Sequence, residues 1–151
     1  MKLAEALIIR ADLKRRMEHL RERLRRNAKV QEGNQPTERP DLLLEEFERS
    51  AAELEVLIRR VNSTNATVMF DGLHLISDAL ARRDGFDLRI RALREVIAET
   101  SEPDWLITRS EIKSVVLLDV ATLQRQLDDL SRQRRELDTQ LQAINWQVEL
   151  V

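Results

Sequence analysis

The sequence predicts a mainly α-helical protein in which long, coiled-coil-like antiparallel helices form a four-helix bundle with a small β element. Charged residues make up 34% of the 151-residue chain, which contains only 3 Gly and 3 Pro, a composition typical of long helices. Hydrophobic residues make up 42% of the chain, which is enough apolar side chain to form a core. Three of the four predicted helices also carry a heptad pattern. We expect a single helical domain over residues 1–151.

The predicted helices span about residues 2–31, 41–66, 78–99 and 119–146. In the first, second and fourth helices, apolar residues recur at alternating steps of three and four, so that one heptad stripe faces a neighbouring helix. The third helix has a sparser stripe, formed by Ala79, Phe86, Ile90, Leu93 and Ile97. The heptad stripes of the other three are Leu3, Ala6, Arg10, Leu13, Met17, Leu20, Leu24 and Asn27; then Leu44, Phe47, Ala51, Leu54, Ile58, Val61, Asn65 and Val68; then Val120, Leu123, Leu127, Leu130, Arg134, Leu137, Leu141, Ile144 and Val148.

The first two helices carry opposite net charge. Residues 1–31 contain ten Lys or Arg against four Asp or Glu, whereas residues 41–60 contain three against six. Gly33, Pro36 and Pro40 punctuate the polar stretch between the helices, which is long enough for the chain to reverse direction. We therefore expect the first two helices to pair as an antiparallel hairpin. The second helix can begin with Asp41 as its N-cap or with Pro40 in its first turn.

A β element is predicted where the helical pattern is interrupted. Two short apolar runs flank Asp71-Gly72, a dipeptide that favours the tight turn of a β-hairpin, here over about residues 67–76. Residues 111–118 are rich enough in β-branched side chains to form a strand, after which Asp119 can serve as the N-cap of the last helix. The hairpin and this strand together would make a small three-stranded sheet at one end of the bundle.

The candidate site residues are polar side chains at helix-packing positions. Arg10 and Arg134 occupy heptad positions where leucine is expected, and a buried guanidinium requires a carboxylate partner. The candidate partners are Asp84, Asp128, Glu136 and Asp138. Such a polar layer would fix the register or the oligomeric state, whereas an arginine that extends outward from the edge of the stripe would have no such role.

Two further features concern asparagine and tryptophan. Asn65 lies on the stripe of the second helix and could pair with Asn27, although capping of helix ends by both residues is the favoured interpretation. Trp146, near the end of the last helix, is a candidate anchor at a subunit interface, where tryptophan is enriched. Packing within the chain is the alternative for Trp146.

No pattern for catalysis or for cofactor binding is found in the sequence. The chain has no Cys and only two His, without the spacing of a zinc site, and its three Gly are isolated rather than grouped in a phosphate-binding loop. We therefore expect no enzymatic activity, no metal and no cofactor. Basic clusters are interleaved with acidic residues and few aromatics are present, which does not favour nucleic acid. No apolar run is long enough to span a membrane, and no signal peptide is evident, so we expect a cytoplasmic protein.

Several segments resemble a bacterial family of uncharacterised proteins whose members are often labelled septicolysin-like. They are the opening MKLAEALI and RADL, then NAKVQEG, ISDALARRD, RSEIK and the ending RELDTQLQAINWQVEL. The resemblance spans essentially the whole chain but implies no established activity. The label itself implies a pore-forming cytolysin, a class for which a signal peptide and an aromatic membrane-anchoring loop would be expected.

The sequence therefore predicts a non-enzymatic structural or interaction protein that forms a homo-oligomer, a dimer or higher, with an unidentified partner. A prefoldin-like holdase is the first alternative, because that architecture also combines long helices with a β-hairpin that can template assembly. The second alternative is the cytolysin that the family label suggests.

Overall fold

Four helices dominate the structure, a computed structural model that describes residues 1–101 and 115–151. Helix makes up 78% of the described residues. The helices are α1 (Leu3–Asn27), α2 (Pro40–Thr67), α3 (Ile76–Ser101) and α4 (Val120–Gln147). The predicted helical class and the order of the four helices are confirmed. No helix of the described residues is both long and apolar enough to cross a membrane.

The described chain divides into two compact units. The first comprises Met1–Ile76 together with Gln142–Val151, and the second comprises Ser77–Leu141. Helix α4 therefore contributes residues to both units. The expectation of a single helical domain over residues 1–151 stays a prediction.

In the first unit, α1 and α2 run antiparallel. Arg16 pairs with Glu46, and Arg23 pairs with Glu38, so that later residues of α1 meet earlier residues of the following segment. The heptad stripe predicted for α1 is buried at Leu3, Ala6, Leu13, Leu20 and Asn27. The predicted antiparallel hairpin is formed.

The stripe predicted for α2 is partly wrong. Leu44 is 51% exposed, whereas its neighbour Leu43 is only 4% exposed. Buried positions recur every seven residues at Leu43, Ser50, Leu57 and Thr64. They alternate with Phe47 and Leu54, which are half-buried, and with Val61, which is buried as predicted. Hydrophobicity alone misses this stripe because two of its members are hydroxyl residues. Their small side chains occupy little space, which allows close approach of a neighbouring helix.

Helix α1 ends at Asn27, four residues earlier than predicted, because the Asn27 side chain binds the loop that follows. Its Nδ2 donates to the carbonyl oxygen of Arg23 at 2.9 Å, and its Oδ1 accepts from the backbone N–H of Glu38 at 3.0 Å. Helix α2 then begins with Pro40 in its first turn, which is one of the two starts predicted from the sequence.

The second unit contains most of α3 and α4. The α4 stripe is buried at Leu127, Leu130, Leu137 and Leu141, and α3 buries Ala79, Phe86 and Ile90, as their patterns predicted. Asp119 caps α4 as expected, because its Oδ1 accepts from the backbone N–H of Ala121 at 3.1 Å.

The predicted β-hairpin and three-stranded sheet are not found in residues 1–101 and 115–151, where no strand is present. A single antiparallel bridge joins Met69 and Leu75 around a turn in which Gly72 has a positive φ of 82°. Helix α2 extends to Thr67 and α3 begins at Ile76, so the segment between them has room for a turn and one bridge only. Of the predicted strand over 111–118, residues 111–114 lie outside the described residues, and 115–118 are not a strand.

Hydrogen bonds to the Asp71 side chain stabilise this tight turn. The Asp71 carboxylate accepts from the backbone N–H groups of Leu73 at 3.0 Å and of His74 at 2.8 Å. These hydrogen bonds, led by that from the His74 backbone, lower the pKa of Asp71 to about 2.

Candidate functional site

Residues 148–151 bind the start of α1 and the end of α2, which lie at the same end of the antiparallel pair, and we call this arrangement the terminal clasp. The backbone N–H of Leu3 donates to the carbonyl oxygen of Val148 at 2.9 Å, and that of Leu150 donates to the carbonyl oxygen of Met1 at 2.8 Å. Between these bonds Lys2 and Glu149 form an isolated antiparallel bridge. The Leu150 side chain is only 7% exposed. The clasp therefore has an apolar anchor as well as main-chain hydrogen bonds.

Ion pairs surround Glu149 in the clasp. Its Oε1 lies 2.7 Å from Nζ of Lys2, and its Oε2 lies 2.9 Å from the N-terminal ammonium group. Hydrogen bonds from these two cations, with Lys2 first, lower the pKa of Glu149 to about 2. The carboxylate therefore stays ionised throughout the neutral and mildly acidic range.

Helix α2 supplies the other side of the clasp through Thr64 and Arg60. The buried Thr64 hydroxyl donates to the carbonyl oxygen of Arg60 at 2.9 Å and accepts from the backbone N–H of Val151 at 3.0 Å. The Arg60 guanidinium donates from Nε to the main-chain oxygen of Val151 at 3.1 Å and from Nη2 to that of Leu150 at 3.3 Å. Both side chains thus fix the position of the C-terminal residues.

Beside the clasp, α1 and α2 border an open groove of about 500 Å³ with a mainly apolar lining, which we call the α1–α2 groove. Its apolar lining consists of Met1, Ile9, Ala52, Val56 and Leu57. Met1, Ile9 and Val56 are between 37% and 48% exposed, so the groove presents carbon surface to solvent. An exposed apolar patch rimmed by polar residues is typical of an interaction site.

Two charged side chains, Glu53 and Arg60, complete the lining of the groove. They are seven residues apart on α2, which places them on the same side of the helix, two turns apart. Arg60 belongs to both features, because its guanidinium also binds the clasp. The groove therefore combines an apolar centre with one negative and one positive group.

The second unit has a more polar groove, of about 540 Å³, between α3 and α4. Its lining includes Arg89, Leu93, Gln126 and Asp129. The Asp129 carboxylate is already bound by Arg132 and Gln133 of the same helix. Both oxygens of the Asp129 carboxylate therefore already accept hydrogen bonds from within α4. In residues 1–101 and 115–151, no three His, Cys, Asp or Glu side chains are grouped so that they could hold a metal ion.

Arg134 is placed where the sequence suggested, and it has two carboxylate partners. Its Nε donates to Oδ1 of Asp87 at 3.0 Å, and its Nη1 lies 3.6 Å from Oδ2 of Asp138. The hydrogen bond to Asp87 is the main reason that the pKa of Arg134 is raised. Asp138 was among the candidate partners; Asp87 was not, although it lies on the neighbouring helix. Arg134 is half-buried rather than fully buried.

The other predicted polar residues are not gathered with Arg134. Arg10 is half-buried and belongs to the first unit, whereas Arg134 belongs to the second. Asp84 is exposed, and its Oδ1 lies 3.3 Å from Nη2 of Arg83. The suggested register role of these residues stays a prediction.

The suggested pairing of Asn27 with Asn65 has no support in the structure. The Asn27 side chain is engaged at the loop end of the hairpin, where it binds the backbone of Arg23 and Glu38. Asn65 lies near the opposite end of α2, two residues before the helix ends at Thr67. Because α1 and α2 are antiparallel, the end of α1 lies beside the start of α2 and not beside Asn65.

Trp146 is 55% exposed on the last turns of α4, in the first unit. The role of Trp146 as an interface anchor stays a prediction. Trp105 lies outside the described residues.

The groove and the clasp were not predicted from the sequence. Ile9 and Val56 lie off the heptad stripes, and apolar residues outside a stripe are the available signal for a second apolar face. The clasp joins residues that are up to 148 positions apart in the sequence. No local sequence pattern predicts a contact over such a separation.

Comparison with known proteins places the chain among proteins without an assigned role. The model of a family of unknown function, DUF6847, matches residues 10–150. A functionally unknown conserved protein from Corynebacterium diphtheriae, known from a crystal structure, is 35% identical to this chain and similar in structure, with a TM-score of 0.93. The match covers 100% of this chain and 99% of that chain. No curated protein matches the sequence. Neither match carries the septicolysin name.

Proposed function

The chain belongs to the family of unknown function DUF6847, and from its own surface we propose that it is a non-enzymatic interaction protein that forms a homo-oligomer through the α1–α2 groove. The observation that carries the proposal is the exposed apolar lining of the groove on two helices that are already packed together. Helix pairs that retain exposed apolar side chains beside a filled stripe commonly bury them against another helix.

The groove is presented by a prearranged surface. The α1–α2 pair has its own buried stripe, and the clasp fixes the end of α2 at Arg60 and Thr64. A surface that needs little ordering on binding loses less conformational entropy when it associates. The groove therefore has the properties expected of a preformed contact surface.

Substitution at the centre of the groove tests this proposal. We expect the wild type to have the mass of a dimer or a larger oligomer by light scattering coupled to size-exclusion chromatography. Val56→Asp should shift the population toward monomer, because an interface would then desolvate a carboxylate without a partner. Leu73→Asp is the control, since Leu73 is 84% exposed in the turn between α2 and α3 and should leave the mass unchanged.

A wild type that stays monomeric at every concentration would contradict the proposal. So would an oligomer whose mass is unchanged by Val56→Asp. Assembly around a central cavity, together with suppression of client aggregation, would instead favour the holdase alternative.

A further inference from the structure

We infer, on the basis of the self-association proposed above, that the occupant of the α1–α2 groove is helix α2 of a second copy in antiparallel orientation. In this arrangement Glu53 of each copy pairs with Arg60 of the other.

The positions of the two charges determine the register. In a two-fold symmetric dimer, contact of Glu53 with Arg60 of the partner subunit requires the reciprocal contact as well. The midpoint between these two residues falls between Val56 and Leu57, which are both part of the apolar lining of the groove. The symmetry axis would therefore pass through apolar side chains, with one ion pair on either side. A parallel arrangement would instead place like charges opposite each other.

The charge distribution along α2 favours the same orientation. Residues 41–55 contain six acidic side chains and one arginine, whereas residues 56–67 contain Arg59, Arg60 and no acidic residue. An antiparallel pair places the acidic part of one helix against the basic part of the other. Opposite charges flanking an apolar contact select the partner and its orientation in paired helices.

Glu53 and Arg60 both have capacity for an additional partner. No residue in 1–101 or 115–151 forms an ion pair with Glu53, in contrast to Glu46, which is bound by Arg16, and Glu55, which lies 3.9 Å from Arg59. The guanidinium of Arg60 uses Nε and Nη2 for the clasp. Since a guanidinium has five N–H donors, the Nη1 donors of Arg60 are available for a carboxylate.

The dimensions of the hairpin fit a stable dimer. Helix α1 has 25 residues and α2 has 28, so the pair extends for roughly 40 Å. Two adjacent helices present a face roughly 20 Å wide, so the pair offers at most roughly 800 Å² per copy, about what one side of a standard interface buries.

Charge reversal followed by mixing tests the pairing. Glu53→Arg and Arg60→Glu each place like charges opposite each other at both symmetric pairs, and each should weaken the homodimer by roughly 10- to 30-fold. An equimolar mixture of the two variants should assemble, because both pairs become complementary in the mixed dimer. Sedimentation velocity of each variant alone and of the mixture measures this directly.

Two controls keep the result specific. Glu55→Arg reverses the same charge at an exposed position of α2 that does not line the groove, and it should weaken the dimer much less than Glu53→Arg does. Because Arg60→Glu also removes bonds of the clasp, circular dichroism of that variant checks its fold, and Glu53→Arg alone must already weaken the dimer.

The outcomes separate this inference from the proposed function. A monomeric wild type would overturn both. A wild-type dimer that Val56→Asp dissociates, but that is unaffected by Glu53→Arg and shows no assembly in the mixture, would overturn the antiparallel register and leave groove-mediated self-association standing. Assembly of the mixture, with each single variant impaired, supports the pairing.

Discussion

Replacement of Leu150 by Ala should destabilise the protein, because Leu150 is the apolar anchor of the terminal clasp. Its side chain is only 7% exposed, and truncation removes most of the buried carbon surface of a leucine. Leu-to-Ala substitutions in cores cost about 2–5 kcal/mol. Neighbouring groups can relax into part of the cavity, so we expect about 2–3 kcal/mol. For a protein of this size that corresponds to a decrease in Tm of roughly 4–12 °C.

Thermal and urea unfolding followed by circular dichroism measure the effect of Leu150→Ala. Leu73→Ala is the matched control, because the same atoms are removed from a side chain that is 84% exposed. The control should change the free energy of unfolding by less than about 0.5 kcal/mol. Equal effects of the two substitutions would show that residues 148–151 do not pack on the α1–α2 pair in solution.

Three further predictions follow from polar contacts. Asn27→Ala should lower the free energy of unfolding in urea by about 1–2 kcal/mol, because it removes both hydrogen bonds at the end of α1. Glu149 has a folded-state pKa of about 2, whereas its ordinary pKa is 4.5. Its contribution to the free energy of unfolding is therefore complete above about pH 4.5 and is lost as the pH falls toward 2. Glu149→Gln should flatten the dependence of Tm on pH in that range. A double-mutant cycle of Arg134→Ala and Asp87→Ala should give a coupling energy of about 0.2–1 kcal/mol, because the pair is partly exposed.

The helices were predictable because their signals are local and repeated. The stripe of α4 is marked by leucines over several turns, and all four of its fully buried members had been predicted. The Asp71-Gly72 turn was also predictable, but the strands around it were not formed. The two flanking helices extend into the residues that had been predicted as strands. Helix boundaries are less reliably predicted from sequence than helix positions.

The candidate site was not predictable to the same extent. The buried stripe of α2 includes Ser50 and Thr64, whose hydroxyl groups conceal it from a reading based on hydrophobicity. The role of Thr64 depends on Val151, which is 87 residues away. Arg134 was identified from its position on the stripe, but choosing Asp87 over Asp84 as its partner requires the packing of α3 against α4.

Cross-linking through the centre of the α1–α2 groove tests the proposed self-association most directly. Because the chain contains no Cys, Val56→Cys introduces a single thiol close to the expected two-fold axis. Under mild oxidation we predict that this variant forms a covalent dimer in high yield, while Leu73→Cys at the same protein concentration stays largely monomeric. Equal yields from the two variants, or no covalent dimer from Val56→Cys, would contradict an interface at the groove.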